Sequence, residues 1–192
     1  MKPRLMLLAL MSLSLSGAAQ LQPPSQRSDQ EQFILGTEEI PGQPRVKHPV
    51  PVPDLVLRIL MTDNGVVSCL AHNPLAPGKN LGSWFIASEI HLDGPDEADL
   101  IVVPSFRGKE SMCFGGATGI GLFWIFRKTA EHYQLALKTW GGGLEILSTR
   151  SSGYRDVQTG TLSQAGRYLT TVNFQFDGKR YQKYKEATKE RQ

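Results

Sequence analysis

The stretch 172-VNFQFDGKRY-181 decides the fold class of this chain. Apolar and polar residues alternate from Val172 to Phe176, which is the period of a β-strand with one buried and one solvated face. Asp177-Gly178 then suits a two-residue type I′ turn, which would place Phe174 opposite Tyr181. The stretch therefore predicts an antiparallel hairpin that packs one face against a core.

Upstream of this hairpin the chain continues as short apolar segments separated by Gly, Pro, Asn and Asp, which is typical of strands and turns. Short connections favour antiparallel pairing, because parallel strands need crossovers of a dozen or more residues. The predicted strands cover residues 65–70, 84–91, 100–103, 122–127, 133–138, 144–148, 154–158 and 168–176. We predict an α+β, mostly β fold: one curved antiparallel sheet of about seven strands in a meander, with one N-terminal helix packed on it.

The predicted helix begins after Pro53, where Asp54 can cap it. Its apolar positions, Leu55, Val56, Ile59 and Leu60, lie on one helical face. Asn64-Gly65 provides a left-handed stop, so we expect the helix to end there and a strand to follow.

The N-terminus MKPRLMLLALMSLSLSGAA has the three parts of a secretory signal peptide: basic Lys2 and Arg4, an apolar run, and small residues before a cleavage point after Ala18 or Ala19. The residues directly after this point are Gln20 and Leu21, not the cysteine of a lipid-anchored exported protein, so we expect a soluble, periplasmic or secreted protein without a membrane span. The domain boundaries that we predict are a signal peptide at 1–19, a Pro/Gln-rich extended or disordered arm at 20–53, a single globular domain at 54–184, and a charged tail at 185–192.

Within the arm, we expect disorder from Gln20 to Gln32 and an extended lead-in from Val46 to Pro53. The apolar patch Phe33-Ile34-Leu35 either docks on the domain or is mobile.

The net charge argues against a polyanionic partner. It is +3 for the whole chain, and removal of Lys2 and Arg4 would leave +1. Such a small excess does not select nucleic acid electrostatically, so we expect no nucleic-acid partner.

Cys69 and Cys113 are the only two cysteines. An even count in an exported chain favours a disulfide, and a loop of this length would contribute about 4 kcal/mol on the chain-entropy model. The alternatives are a metal site of Cys69 with His72, a catalytic thiol, and two separate buried thiols.

The segment LDGPDEADLIVV supplies closely spaced carboxylates, including Asp93, Asp96 and Asp99, of the kind that calcium prefers. It is similar to the aspartate-rich loop of FG-GAP repeats in integrin-type propellers. Gly94 and Pro95 depart from that pattern, and no second copy occurs, whereas a propeller needs several. We therefore expect a solvated hairpin loop, with a calcium site as the alternative.

A binding site is predicted at GYRD, where Tyr154 and Asp156 would share one strand face and Arg155 would take the other. The fork of Arg155 can recognise a carboxylate or phosphate, or instead satisfy acids and carbonyls of its own fold. Trp140 is the tryptophan that we expect to be exposed, because glycines follow it. No catalytic motif and no cofactor-binding motif occurs, so we assign no catalytic residue and no cofactor.

The chain resembles a group of small exported bacterial proteins of uncharacterised function. The segments that carry this resemblance are SWFIASEIHLDGPDEADLIVV, Cys113 to Gly116, FWIFRKTAEHYQLAL, SGYRDVQT and FQFDGKRY. The resemblance covers most of the chain from Ser83 to Tyr181. It implies one exported domain with this strand order and implies no activity.

Two classes of function remain. The first is a non-catalytic binding or interaction module of the cell envelope, with an envelope protein or glycan as partner. The second is an envelope hydrolase or hydrolase inhibitor, with a site assembled from scattered residues such as His132, Glu145 and Asp156.

Overall fold

A computed structural model describes residues 31–34, 46–94, 98–105, 108, 111–115, 120–130 and 132–191. The strands in these ranges are β1 (Glu31–Ile34), β2 (Pro49–Val50), β3 (Phe85–Ile90), β4 (Asp99–Pro104), β5 (Gly121–Thr129), β6 (His132–Gly141), β7 (Gly143–Ser151), β8 (Tyr154–Ser163), β9 (Tyr168–Phe176) and β10 (Tyr181–Glu190). The helices are α1 (Asp54–Leu60), α2 (Asn64–His72) and the short α3 (Ser111–Phe114), and a 3-10 turn spans Leu81–Trp84.

The strands form two antiparallel sheets rather than one. The central sheet has the order β2-β3-β4-β5-β6, and the outer sheet has the order β1-β7-β8-β9-β10. The mostly β class is confirmed. The prediction of a single sheet is wrong, because the chain leaves the central sheet at the end of β6 and enters the outer sheet at β7.

This transfer between sheets occurs at the glycines that follow Trp140. A Cβ on Gly141 would lie 3.1 Å from the Thr159 Cβ and 3.3 Å from both a Phe123 ring carbon and the Gly143 carbonyl oxygen. Only a residue without a side chain allows the two sheets to approach this closely. The Gly142 amide fixes the corner by donating to the Gly160 carbonyl, at 2.8 Å.

One apolar core lies between the two sheets. The central sheet contributes side chains from β3 to β6, and the outer sheet contributes side chains from β7 to β10. Its buried members include Ile90, Ile101, Val103, Phe123, Ile125, Leu137, Leu144, Ile146, Val157, Phe174 and Phe176.

A second core covers the opposite face of the central sheet. Its buried members include Val56, Leu60, Val66, Cys69, Trp84, Phe85, Leu100, Val102, Phe114, Trp124 and Phe126. The protein therefore has three layers: helices, central sheet and outer sheet. Strand β4 is buried along its whole length because both of its faces are covered, which explains its uninterrupted apolar run.

The helical layer differs from the prediction. Asp54 lies in the first turn of α1, whose N-cap is Pro53, and residues predicted to form a strand at 65–70 belong to α2. Asp63 decides this second helix, because its carboxylate accepts the Gly65 amide at 2.9 Å and the Val66 amide at 3.2 Å. The predicted helix stop is therefore a helix start.

Cys69 of α2 and Cys113 of α3 form a disulfide, as predicted, and close a loop of 44 positions. The bond joins two short helices that pack on the central sheet. A disulfide is consistent with an oxidising, extracellular compartment.

The β9–β10 hairpin has a four-residue loop, not a two-residue one. Phe176 pairs with Tyr181, and Phe174 therefore faces Lys183 rather than Tyr181. The Asp177 carboxylate organises the loop by accepting the amides of Lys179 and Arg180, both at 2.8 Å. This side-chain turn replaces the backbone turn that the Asp-Gly pair suggested.

Parts of the predicted arm and tail belong to the sheets. Glu31 and Gln32, expected to be disordered, begin β1, which pairs with β7. Pro49–Val50 pairs with β3, and β10 continues to Glu190 through residues predicted as a charged tail. The signal-peptide prediction and residues 20–30 lie outside the described residues.

Candidate functional site

The Arg155 side chain bonds to backbone carbonyls of its own sheet. Its Nε donates to the Leu147 carbonyl at 2.8 Å, and its Nη2 donates to the Ile146 carbonyl at 3.3 Å. The register of β7 and β8 is interrupted beside these carbonyls, between Ile146 and Arg150. The guanidinium satisfies carbonyls at this irregularity, so the geometry supports the structural interpretation of Arg155.

Tyr154 and Asp156, the other two residues of the predicted site, both lie near Tyr181. The Tyr154 hydroxyl donates to the Asp93 carboxylate at 3.1 Å. Asp156 is only 2% exposed and lies close enough to Tyr181 for its charge to raise the pKa of that phenol. Both side chains belong to a larger group that the sequence did not reveal.

Trp140 is exposed, with 48% of its surface accessible, but it does not join Tyr154. It pairs with Leu122, whose side chain belongs to the helix-side core, so it lies on the helix side of the central sheet. Its end of β6 meets the outer sheet at Gly160. Tyr154 lies about 20 Å from Gly160 along β8, at about 3.3 Å per residue.

The group that does contain Tyr154 runs from the surface into the space between the sheets, and we name it the polar column. Asp93 is exposed, Tyr154 and Arg127 are partly buried, and Asp99, Asp156 and Tyr181 are buried. The column consists of Asp93, Asp99, Arg127, Tyr154, Asp156 and Tyr181.

Arg127 lies at the centre of the column. Its guanidinium carbon is 4.8 Å from the Tyr154 ring centroid and 5.1 Å from the Phe176 ring centroid. One guanidinium nitrogen donates to the Gly178 carbonyl of the hairpin loop, at 3.5 Å. Strand register places Arg127 beside Asp99, because Phe126 pairs with Leu100. Arg127 therefore contacts the aromatic rings and the loop and lies on the strand next to the buried acid.

Backbone contacts fix the outer end of the column. The Arg150 side chain donates to the carbonyls of Leu92, Asp93 and Gly153 at 3.2, 3.0 and 2.9 Å. The Arg155 amide donates to the Leu92 carbonyl at 2.7 Å. These bonds hold the turn after β3, in the central sheet, against the start of β8, in the outer sheet.

The column contains every buried side-chain polar atom that lacks a hydrogen-bond partner in the described part of the chain. These atoms are Asp99 Oδ2, Arg127 Nε and Asp156 Oδ1. Such an atom typically costs about 1–3 kcal/mol, so three in one place is a concentrated cost to stability. The column is therefore the strongest candidate among the described side chains for a role beyond packing.

Burial between the sheets raises the pKa of Asp99 to about 6. The Lys128 amide, which donates to Oδ1 at 2.8 Å, opposes this rise, as does the charge of Arg127, whereas the charge of Asp93 adds to it. Asp99 therefore changes its charge in mildly acidic solution, near pH 6.

The two tyrosines of the column are held as neutral phenols. Burial raises the pKa of Tyr181 far above its ordinary value, and the charges of Asp99 and Asp156 raise it further. Its hydroxyl donates to the Arg155 carbonyl at 2.7 Å. Burial and the bond donated to Asp93 also raise the pKa of Tyr154. Both phenols act as hydrogen-bond donors, not as bases.

Asp99, Arg127 and Tyr181 could not be recognised as a group from the sequence. Asp99 and Ile101 point to the same side of β4, so an acid stands at an inward-facing position. That alternation was a readable signal. The approach of Arg127 and Tyr181 was not readable, because the two residues come from different sheets.

The calcium prediction at Asp93, Asp96 and Asp99 stays a prediction, because Asp96 lies outside the described residues. Among the residues that are described, no three His, Cys, Asp or Glu side chains are grouped so that they could hold a metal ion. We assign no metal ligand.

The residues of the hydrolase alternative are not joined by the described contacts. His132 is exposed at the start of β6, Glu145 lies on β7 beside Gln158, and Asp156 is buried. No hydrogen bond or ion pair links these three side chains to one another in the described structure. The arrangement of a base beside a nucleophile or acid is therefore not seen at these positions.

A second polar contact ties the helices to the central sheet. Lys138 lies 2.8 Å from the Asp63 carboxylate, to which the Trp124 indole donates at 3.3 Å. Burial of Asp63 acts to raise its pKa, but the bonds from Lys138, Trp124 and the Val66 amide outweigh it, and the pKa is lowered. These contacts explain the position of α2 and indicate no ligand.

The outer face of the outer sheet carries a row of polar side chains across four strands. Leu144, Ile146, Val157 and Phe174 point to the core, so Glu145, Gln158 and Asn173, which alternate with them, point away from it. Register aligns Glu145, Gln158, Asn173 and Lys185 in one row. A neighbouring row holds the smaller residues Gly143, Gly160, Thr171 and Ala187. No described element covers this face.

No described helix is by itself long and apolar enough to cross a membrane, while α1 and α2 together, with an 80° bend between them, pass the test of length and composition.

Comparison of the chain with protein-family models, with curated proteins and with solved structures found no match.

Proposed function

We propose that the protein is exported and acts as a non-catalytic binding module of the cell envelope, and that it binds through the outer face of its outer sheet. The observation that carries this proposal is the polar row of Glu145, Gln158, Asn173 and Lys185, on a sheet face that no described element covers. The central sheet is covered on both faces by helices and by the outer sheet, so it offers no comparable open surface in the described structure.

The chemistry of the row favours a glycan over a protein. Gln158 and Asn173 offer amide donors and acceptors together, which matches sugar hydroxyls that both donate and accept. Protein interfaces instead concentrate aromatic, Met and Arg side chains at a dry centre. The row contains none of these, and the adjacent row of small residues leaves room for a chain to lie across the strands.

The row is also ordered before any ligand arrives. Gln158 donates its amide to the Asn173 carbonyl oxygen, and Asn173 is only 9% exposed. An ordered polar row loses less conformational entropy on binding than free side chains would lose.

Export is supported by the N-terminal sequence and by the disulfide between Cys69 and Cys113. A non-catalytic role is supported by the lack of a catalytic motif in the sequence, and by the lack of a hydrogen bond or ion pair among the side chains of His132, Glu145 and Asp156 in the described structure.

The test is co-sedimentation of the oxidised protein with purified insoluble cell-wall glycan, followed by a soluble glycan array. The variant Gln158→Ala removes the centre of the row and should lower the retained fraction at least about fivefold, the loss of one or two net hydrogen bonds. Gln134→Ala, which truncates an exposed glutamine on the central sheet, is the matched control and should bind like the natural protein.

Equal retention of Gln158→Ala and the natural protein would refute the choice of face. No retention of the natural protein on any glycan would refute the glycan proposal. Turnover of the glycan during the assay would instead support the hydrolase alternative.

A further inference from the structure

The proposed binding function does not explain why the polar column holds a buried donor and a buried acceptor that both lack a hydrogen-bond partner. Asp99 Oδ2 is a buried acceptor without a partner, and Arg127 Nε is a buried donor without a partner. The two residues are neighbours on β4 and β5, yet no described ion pair joins them. They are complementary groups held apart.

Arg127 is held away from Asp99 by weak contacts. The bond to the Gly178 carbonyl is 3.5 Å long, at the limit for a hydrogen bond, and the other contacts are ring faces of Tyr154 and Phe176. A carboxylate forms a much stronger bond with a guanidinium than a distant carbonyl does. Arg127 therefore has two alternative acceptors, and the charge of Asp99 determines which is the better one.

We propose that Arg127 is a proton-controlled switch: it bonds to the hairpin loop at Gly178 while Asp99 is protonated, and it moves to Asp99 when that carboxyl ionises. Protonated Asp99 offers Arg127 no negative charge, so the guanidinium stays on the loop and the rings. Ionised Asp99 is a buried charge that needs a partner, and Arg127 is the cation on the neighbouring strand.

The other charged and titratable groups around Asp99 influence the pH at which it ionises, and they come from several elements. The negative charge of Asp93 disfavours ionisation, as do the buried surroundings. The charged and titratable groups that surround Asp99 are Asp93 from the turn after β3, Arg127 from β5, Tyr154 and Asp156 from β8, and Tyr181 from β10.

The switch has a mechanical consequence at two surface sites. When Arg127 leaves Gly178, the β9–β10 loop loses this bond to the central sheet. When the guanidinium leaves the Tyr154 ring, the ring loses its cation–π contact, and the position from which Tyr154 donates to Asp93 is held less firmly. Acid therefore closes the loop and the turn onto the column, and neutral pH loosens them. This inference stands independently of the glycan proposal.

The experiment follows three signals by NMR from about pH 3.5 to 8: the Asp99 carboxyl carbon, the Arg127 Nε–H and the Gly178 amide. The switch predicts one shared midpoint between about pH 5 and 7, the range expected for a buried carboxyl with an opposing cation. The Arg127 and Gly178 signals should lose that midpoint in Asp99→Asn and keep it in Asp156→Asn, which removes the other buried acid of the column.

Three results would overturn the proposal. Asp99 could titrate at or below about pH 4, which would mean a permanent ion pair. Arg127 and Gly178 could stay unchanged while Asp99 titrates, or their shared midpoint could survive in Asp99→Asn. The first two readouts need no variant, so a variant that fails to fold does not remove the test.

Discussion

Replacement of Asp99 by asparagine should stabilise the protein at neutral pH and not in acid. Burial raises the pKa of Asp99 from 3.8 to about 6. Below pH 3.8 the carboxyl is neutral in both the folded and the unfolded chain, so the natural residue has no ionisation cost. As pH rises, the unfolded chain ionises first, and stability falls until the folded carboxyl has ionised above about pH 6.

The size of the effect follows from the shift of the pKa. About two units at 1.36 kcal/mol each give about 3 kcal/mol of stability lost between acid and neutral pH. Asparagine keeps the shape and the oxygen that accepts the Lys128 amide but cannot ionise. The increase in the free energy of unfolding that Asp99→Asn causes, relative to the natural protein, should therefore be about 3 kcal/mol larger at pH 8 than at pH 3.5.

The assay is urea unfolding, followed by tryptophan fluorescence, at several pH values across this range. Glu89→Gln makes the same chemical change at an exposed position of β3 and serves as the control. A difference between Asp99→Asn and the natural protein that stays constant with pH, to within about 0.5 kcal/mol, would refute the argument that Asp99 is ionised at a cost.

Four further predictions follow. Replacement of both Cys69 and Cys113 by serine should cost about 4 kcal/mol, measured by urea unfolding; an unchanged midpoint would show that the crosslink does not stabilise the fold. Gly141→Ala should cost about 1–3 kcal/mol by overpacking the corner between the sheets, visible as a lower melting temperature, and an unchanged one would contradict the close approach. Asp63→Ala should lower stability by about 1 kcal/mol through loss of the cap, and Asp63→Asn, which retains capping, should be milder; equal losses would assign the effect to the ion pair. The hydrogen bond from the Arg180 amide is the main cause of a pKa of about 2 for Asp177. The ionised carboxylate therefore stabilises the fold above pH 3.8, and this stabilisation is lost as pH falls toward 2. Asp177→Asn should lose stability less steeply than the natural protein when acid denaturation is followed over this range, and the same steepness in both proteins would contradict the prediction.

The helices show why local sequence predicted α1 but not α2. The spacing of Val66 and Cys69 fits a helical face, but the nearby Asn64-Gly65 also fits a helix end, and a short window of sequence supports both. The carboxylate of Asp63 decides between them by capping α2, and it is oriented by Lys138 and Trp124 from the central sheet. The decisive contacts come from residues distant in sequence.

The candidate site shows the same division. The sequence pointed to Tyr154 and Asp156, which do lie in the polar column, and to Arg155, which bonds carbonyls of its own sheet. Trp140 was correctly expected at the surface, on a different side of the protein. Asp99 was considered only as a calcium ligand and Arg127 not at all, because nothing local in the sequence shows that the sheets bring these two residues together.

The sequence by itself determined what depends on neighbours along the chain: the alternation that makes β9 a strand, the apolar run that makes β4 a buried one, and the two cysteines that could pair. The packing of the sheets decided that the strands divide into two sheets, that Asp99 is buried, and that Arg127 lies on the strand beside it. The physical reason is that periodicity and turn chemistry act over a few residues. Burial and electrostatic coupling depend instead on which surfaces meet, and here two sheets meet around an apolar core, with Gly141 allowing their close approach where the chain passes from one to the other.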